Sequence, residues 1–473
     1  MIISTDTGKG GSGSRTTLGV PWSGTLALLF LFALATRLVF LGVFGSGQAL
    51  YDGLPDQAQY LDLAAGLMNG EGYRVSTDTF AATAHTPTAV RPPLYPIVLA
   101  GIFAVFDGAY LPVRIFQAVL GAGTCLLLAL AGARCFGATT GLISGFLLAA
   151  YPAFIMYVRP LMPEMLYISL VVGAVVCLLF LDKEDAGQWA LPAGSGFCIG
   201  MASLTRPEGL AVGALLLAWL TCLSPLRKAI RLRAVLIFCG CFVACLVPWV
   251  VRNQISMGSP LLLPTHGGFN LWEQSWLTNQ RIRLNWDEPA YPERHVIVGW
   301  QSMTEMQRDN AMFSQAIDFI RHNPAAYVEI RLRQVWNSFP LWPKEMASDY
   351  RNRAIRARCP DLDQTALVDV PNYVTIPEVI RVWCFRLLFV GFLASVAPNL
   401  KANSRPTLLL LSLIGLNAFM AFFINALERY RMQVDPFMII LAANGLVLLY
   451  DRKRTKPGPR ARNASANEPS LPT

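Results

Sequence analysis

Charge is scarce in this chain. Only 15% of its 473 residues are Asp, Glu, Lys or Arg, while 54% are hydrophobic and the mean hydropathy is +0.43. Soluble domains carry roughly 25% charged residues. The deficit, together with repeated long apolar runs, excludes an ordinary soluble domain and describes a polytopic membrane protein. Histidine is scarcer still. His85, His266, His295 and His322 form no HxxH or HExxH arrangement, so no metal site follows from spacing. A Walker loop, a GxSxG elbow and a Cys/His nucleophile pair are all missing, which leaves an ATP-driven pump without support. There is no internal repeat and no low-complexity domain. The ten cysteines show neither metal spacing nor a disulfide framework. Most lie inside apolar segments and read as small packing residues, and only Cys359 falls in a long polar loop.

What is present is a series of apolar stretches. Residues 1–22 form a flexible, Gly/Ser-rich tail, and the first apolar run is too long for a signal-peptide core, so it is expected to remain as an uncleaved helix. Ten full spans are expected at about 24–45, 112–133, 139–158, 162–181, 188–205, 207–224, 231–251, 378–398, 406–426 and 431–450. Between the first two lies RPPLYPIVLAGIFAVF, residues 91–106. Its apolar part, about 15 residues or roughly 22 Å of helix, is too short for a ~30 Å core, so it reads as a juxtamembrane or partly inserted helix. The predicted fold is therefore an all-α polytopic bundle. It divides into the 1–22 tail, an N-terminal transmembrane module at 23–251, a helical loop region at 252–377, C-terminal helices at 378–450 and a basic tail at 451–473.

The net charge of +9 could suggest nucleic acid, but the basic residues cluster in short loops between apolar runs. With 91–106 not crossing, Arg134, Lys183, the Arg227/Lys228/Arg231/Arg233 group, Lys401/Arg405 and the C-terminal tail all fall on one side, as the cytoplasmic excess of Lys and Arg requires. Opposite them lie the 46–92 loop, VRPLMPE (158–164), TRPEG (205–209), the 252–377 region and LERYRMQVDP (427–436). Polar groups far apart in sequence are thus expected to line one external cavity. Within the 252–377 region, residues 307–339 read as two helices split at Asn323–Pro324. The second, with Arg331 and Arg333 beside aromatic residues, is expected to rest on the bilayer surface.

Candidate chemistry starts with YDGLPDQAQY, residues 51–60. Asp52, Asp56 and Tyr60 recur every four residues and would share one face of a helix. Asp56 is either a general base at the membrane boundary or a solvated cap following Pro55. Glu164, opening a span, is either a cavity carboxylate or a favourable charge at a helix N-terminus, and Arg159 one turn away could pair with it. Arg91, Arg206, Arg429 and Arg431 stand at outer membrane edges. Each suits phosphate contact or snorkelling, and their convergence on one side favours an anionic ligand. Arg37, inside the first span, is expected to face protein or water, as part of a salt bridge or of a functional site.

Together these pieces resemble the polytopic GT-C glycosyltransferases, in particular the bacterial branch of the protein O-mannosyltransferase and aminoarabinose transferase superfamily. LPDQAQYLDLAAGLMNGEGY, RPPLYPIVLAG, the pair YPAFIMYVRPLMPEMLYISL and GMASLTRPEGL, and VPWVVRNQISMGSPLLLPTHGGFNLWEQ carry the resemblance, in the family's order. It implies a GT-C-like fold and a polyprenyl-phosphate sugar donor. Asp56 would be the catalytic residue, with Arg91 at the lipid phosphate and Glu164 in the cavity. Gln57 stands where the family usually has Glu, so either Asp52 supplies the second carboxylate or none is needed. Arg429 and Arg431 match less closely.

The expected activity is inverting transfer of a sugar to an envelope glycan, lipid or protein acceptor, at the outer face of a cytoplasmic (inner) membrane. No cofactor is required by this scheme, and a divalent cation is left open. The expected partners are the donor, the acceptor and membrane lipids, with no nucleic acid. The alternative is a transporter or lipid flippase. Such proteins show paired inverted halves and broken mid-membrane helices, which are not visible in this sequence.

Overall fold

The computed structural model describes residues 22–44, 55–79, 82–182, 189–283, 299–338, 375–423 and 428–455. The two tails, Asp52 and Cys359 lie outside these residues. Among the described residues the chain is helical throughout, with one isolated bridge between Arg74 and Pro87.

Each expected span contains helix. In order these are α1 (Trp22–Phe44), α4 (Tyr110–Phe136), α5 (Ala138–Ala149) continued by α6 (Pro152–Met156), α7 (Glu164–Leu179), α8 (Ala190–Ser203), α9 (Glu208–Cys222), α10 (Lys228–Met257), α14 (Thr375–Ala402), α15 (Ser404–Phe423) and α17 (Asp435–Thr455). Among the described residues, five helices are long and apolar enough to cross a membrane: Ser23–Phe44, Tyr110–Phe136, Lys228–Met257, Ile380–Ala402 and Ser404–Phe423. Several others are shorter than hydropathy suggested. Pro152 lacks an amide donor and ends α5 one turn early, while Pro163 and Pro207 delay the starts of α7 and α9. The 91–106 stretch gives α3 (Leu94–Val105), only 12 residues long.

The bundle core is apolar and knitted by close backbone approach. Gly141 of α5 faces α4 so tightly that a β-carbon there would lie 2.3 Å from the Ala129 carbonyl oxygen. Small residues allow such contact where lipid gives helices no hydrophobic reason to associate. Buried amides add polar links. Asn444 Nδ2 donates to Asn399 Oδ1 at 2.6 Å, and the Thr140 hydroxyl donates to Asn444 Oδ1 at 3.0 Å, joining α14, α17 and α5. Arg37 faces protein, as expected. It is fully buried and donates to the Ala33 carbonyl at 2.8 Å, and Gly121 leaves it room. Among the described residues no carboxylate pairs with it, so the salt-bridge reading is not met.

A second cluster positions the site. Tyr60 and Ala64 of α2 (Pro55–Met68) pack with Tyr95, Leu99 and Phe103 of α3, Val113 of α4 and Leu161. The loop region supplies α11 (Gly267–Arg283), α12 (Glu305–His322) and α13 (Pro324–Ser338), the last two broken at Asn323–Pro324 as expected. Thr304 starts α12 with a capping box completed by Gln307. Arg331 departs from the surface reading of α13. Its guanidinium is fully buried and donates to the carbonyls of Ala421 and Phe422 at the C-terminal end of α15, and to Gln274 Oε1 at 2.7 Å. Unpaired carbonyls at a helix end attract a cation more strongly than a lipid surface would.

Candidate functional site

Proline is favoured at the first position of a helix, where its missing N–H would have no partner anyway. Pro55 accordingly opens α2 and puts Asp56 in the first turn, where the helix dipole favours negative charge. One turn on, Tyr60 is buried edge-on against Tyr95 at 5.4 Å. The Arg91 guanidinium lies over its other surface, 5.4 Å from the ring centre. Between them, Gln57 is buried and its side-chain oxygen accepts the Leu161 N–H at 2.9 Å. A neutral amide in place of the expected Glu thus serves as a tether from α2 to the 158–163 turn.

Asp56 sits between two arginines. Arg91 Nη2 donates to Oδ1 at 2.5 Å and Arg429 Nη2 donates to Oδ2 at 2.5 Å. Arg91 Nε also donates to Gln59 Oε1 at 2.8 Å. Arg429 comes from α16 (Glu428–Arg431). Burial would push the Asp56 carboxyl up, but Arg91 and Arg429 outweigh it and hold it well below the usual carboxylate range. Arg91 and Arg429 are desolvated, yet Asp56 and the neighbouring tyrosines keep both firmly protonated.

A second charged group adjoins the first. Arg206 donates to Glu164 Oε1 at 2.7 Å and to Glu208 Oε1 at 2.9 Å. Glu164 therefore takes Arg206, from the TRPEG turn, as its partner. The other oxygens of Glu164 and Glu208 are buried without a hydrogen bond. Tyr430 links the two groups, its ring centre 4.8 Å from the Arg206 guanidinium and 5.1 Å from that of Arg429. The first group sums to one positive charge and the second to one negative.

The remaining sequence candidates fall elsewhere. Arg431 turns away from Asp56 and pairs with Asp435 at 2.6 Å, whose other oxygen accepts the Tyr151 hydroxyl at 3.0 Å. Arg159 is buried in the turn before α7, where its carbonyl accepts Arg114 Nε at 3.0 Å.

Two residues that the sequence did not single out belong here. Glu208 is the acid of TRPEG itself. His266 lies within electrostatic reach of Asp56, Arg91 and Arg429. Burial and the two guanidiniums push its imidazole down to about 3, so it is neutral, and its Nδ1 has no hydrogen-bond partner. Among the described residues no group of three or more His, Cys, Asp or Glu side chains is gathered to hold a metal.

Residues 90–251, from the Arg91 loop into α10, match the model of the dolichyl-phosphate-mannose-protein mannosyltransferase family. The fold superposes on the oligosaccharyltransferase AglB from Archaeoglobus fulgidus, in complex with an inhibitory peptide and a dolichol-phosphate. The TM-score is 0.53 at 14% identity, over 96% of this chain and 52% of that one. The family match is confined to that part of the chain, and the structural match shows a fold shared with the archaeal enzyme. The apo form of the same archaeal enzyme gives a TM-score of 0.52 at 16% identity, over 95% of this chain and 53% of that one. At such identities the likeness is one of fold, and this chain spans about half the length of those neighbours. ArnT from Cupriavidus metallidurans, bound to undecaprenyl phosphate, superposes more loosely, at a TM-score of 0.39 and 16% identity over 90% of this chain and 78% of that one. No curated protein matches the sequence.

Proposed function

We propose that this chain is an integral membrane glycosyltransferase. It moves a sugar from a polyprenyl-phosphate donor to a hydroxyl of an envelope glycan, lipid or protein acceptor. The observation that carries this reading is the sharing of Asp56 between Arg91 and Arg429. The same two guanidiniums suit a phosphate, which presents several oxygens to planar donors. The archaeal neighbour's capture with a dolichol-phosphate supports this class of donor.

The chemistry follows from these groups. The donor phosphate docks on Arg91 and Arg429 and draws them from Asp56, leaving that carboxylate free to accept a proton. The acceptor oxygen forms its bond to the anomeric carbon as the bond from that carbon to the phosphate oxygen breaks. The electron pair goes to the phosphate, where both arginines stabilise the developing charge. Asp56 takes the acceptor's proton, an effect worth about 10²–10⁴-fold. Attack in line with the departing phosphate inverts the anomeric centre. The phosphate leaves without protonation, so this mechanism does not call on the second carboxylate that glycosidases need. No step requires a metal or a nucleotide. Arg206 with Glu164 and Glu208 faces the sugar, and Tyr60 braces Arg91. In a ten-crossing arrangement of the helices, this site opens on the outer side of the cytoplasmic membrane.

The test is Asp56→Asn in the purified full chain, assayed with polyprenyl-phosphate sugars and an envelope extract as acceptor. Transfer is expected from the wild type and lost from the variant at unchanged expression and membrane insertion. A fully active variant would refute the assignment.

A further inference from the structure

Arg91 sits in a loop ahead of α3, so something outside its own helix must hold it. Two holds come from nearby. The Tyr73 hydroxyl donates to the carbonyls of Arg91 and Pro92 at 2.9 and 3.1 Å. Arg252, at the end of α10, donates to the carbonyls of Thr88 and Tyr73 at 2.7 and 3.0 Å. The third comes from the loop region. Glu305, the first residue of α12, is buried, and its Oε1 accepts the Ala89 N–H at 3.0 Å. The same oxygen accepts the Thr265 hydroxyl. Thr265 in turn donates its own N–H to the Ala89 carbonyl at 3.1 Å. One carboxylate oxygen therefore gathers the segment leading to Arg91 and the segment leading to His266, both of which border Asp56.

We propose that Glu305 is a positioning residue for glycosyl transfer, strapping the 88–91 and 265–266 segments together so that Arg91 reaches Asp56 and the donor phosphate. The inference rests on the function proposed above. A carboxylate suits the task because it offers only acceptors, and the strap is made entirely of donors. Removing it leaves the Ala89 N–H and the Thr265 hydroxyl buried without partners, a cost the two segments relieve by moving apart. Glutamine keeps one acceptor oxygen in place and should retain the strap.

The experiment compares wild type, Arg91→Ala, Glu305→Ala, Glu305→Gln and Asp318→Ala as full chains in nanodiscs. It measures kcat, the donor KM and amide exchange of the 86–92 peptide. Asp318 lies exposed on the same helix and controls for general damage to α12. Glu305→Ala is expected to raise the donor KM about tenfold or more and to lower kcat, with Glu305→Gln staying within about threefold and Asp318→Ala unchanged. Exchange in 86–92 should quicken only in Glu305→Ala. If that variant fails to fold, Thr265→Val removes one donor of the strap and should give a smaller rise in KM.

Wild-type kinetics in folded Glu305→Ala, or equal damage in Glu305→Gln, overturns the proposal. A wild type that neither transfers sugar nor binds polyprenyl phosphate overturns the functional reading instead. Exchange then still decides the strap, and unchanged protection of 86–92 in Glu305→Ala would sink it.

Discussion

Asp56 and Arg429 stand 373 positions apart in the chain, yet Arg429 Nη2 donates directly to Asp56 Oδ2. The contact joins the first helix after α1 to the short turn before the last. With Arg91 on the other oxygen, both faces of the carboxylate are occupied by the cations assigned to the donor phosphate.

On the proposed mechanism, carboxylate and phosphate compete for the same guanidiniums. Asp56→Asn, though inactive in transfer, should bind polyprenyl phosphate more tightly than wild type, on the order of tenfold for one lost charge-assisted contact. Binding titrations in nanodiscs read this directly. Equal or weaker affinity in the variant would show that the pair does not compete.

The same competition sets the pH profile. In the free enzyme Asp56 is held below the usual carboxylate range, so it stays ionised as pH falls through about 4. Once donor phosphate occupies Arg91 and Arg429, that restraint weakens and the carboxyl moves up. The acid limb of kcat, which reports the bound complex, should lie at higher pH than the acid limb of kcat/KM for donor. His266, pushed down to about 3, should add no inflection between pH 5 and 8. Rate profiles at saturating and limiting donor separate the two limbs.

Gly141→Ala tests the bundle rather than the site. The added methyl meets backbone on α4, so the variant should lose about 1–3 kcal/mol by overpacking and melt at lower temperature in detergent. Gly240→Ala, in α10 with nothing within 4 Å, should melt no lower than wild type.

Hydropathy exposed the order of the apolar helices, because a membrane chain must write its spans in its composition. Their ends were less legible, since prolines trimmed α5, α7 and α9 where the apolar run continued. Asp56 and Arg91 could be assigned to one outer cavity from sequence, through motifs only tens of residues apart, but not to each other. Arg429 and Arg431 could not be told apart, because both are arginines in one short segment. Two positions apart in a helix, they point in nearly opposite directions, and only Arg429 faces Asp56. Glu305 and His266 carried no local pattern. Their placement comes from folding the loop region back onto the segment before α3.

Arg331 ties α13 to the last carbonyls of α15, and the chain reaches Arg429 only a few residues beyond them. Whatever grips the outer surface of α13, a docking acceptor among them, would tug on one arm of the phosphate clasp from a distance. On the proposed mechanism, Arg331 would then couple acceptor arrival to donor retention from outside the Asp56 site.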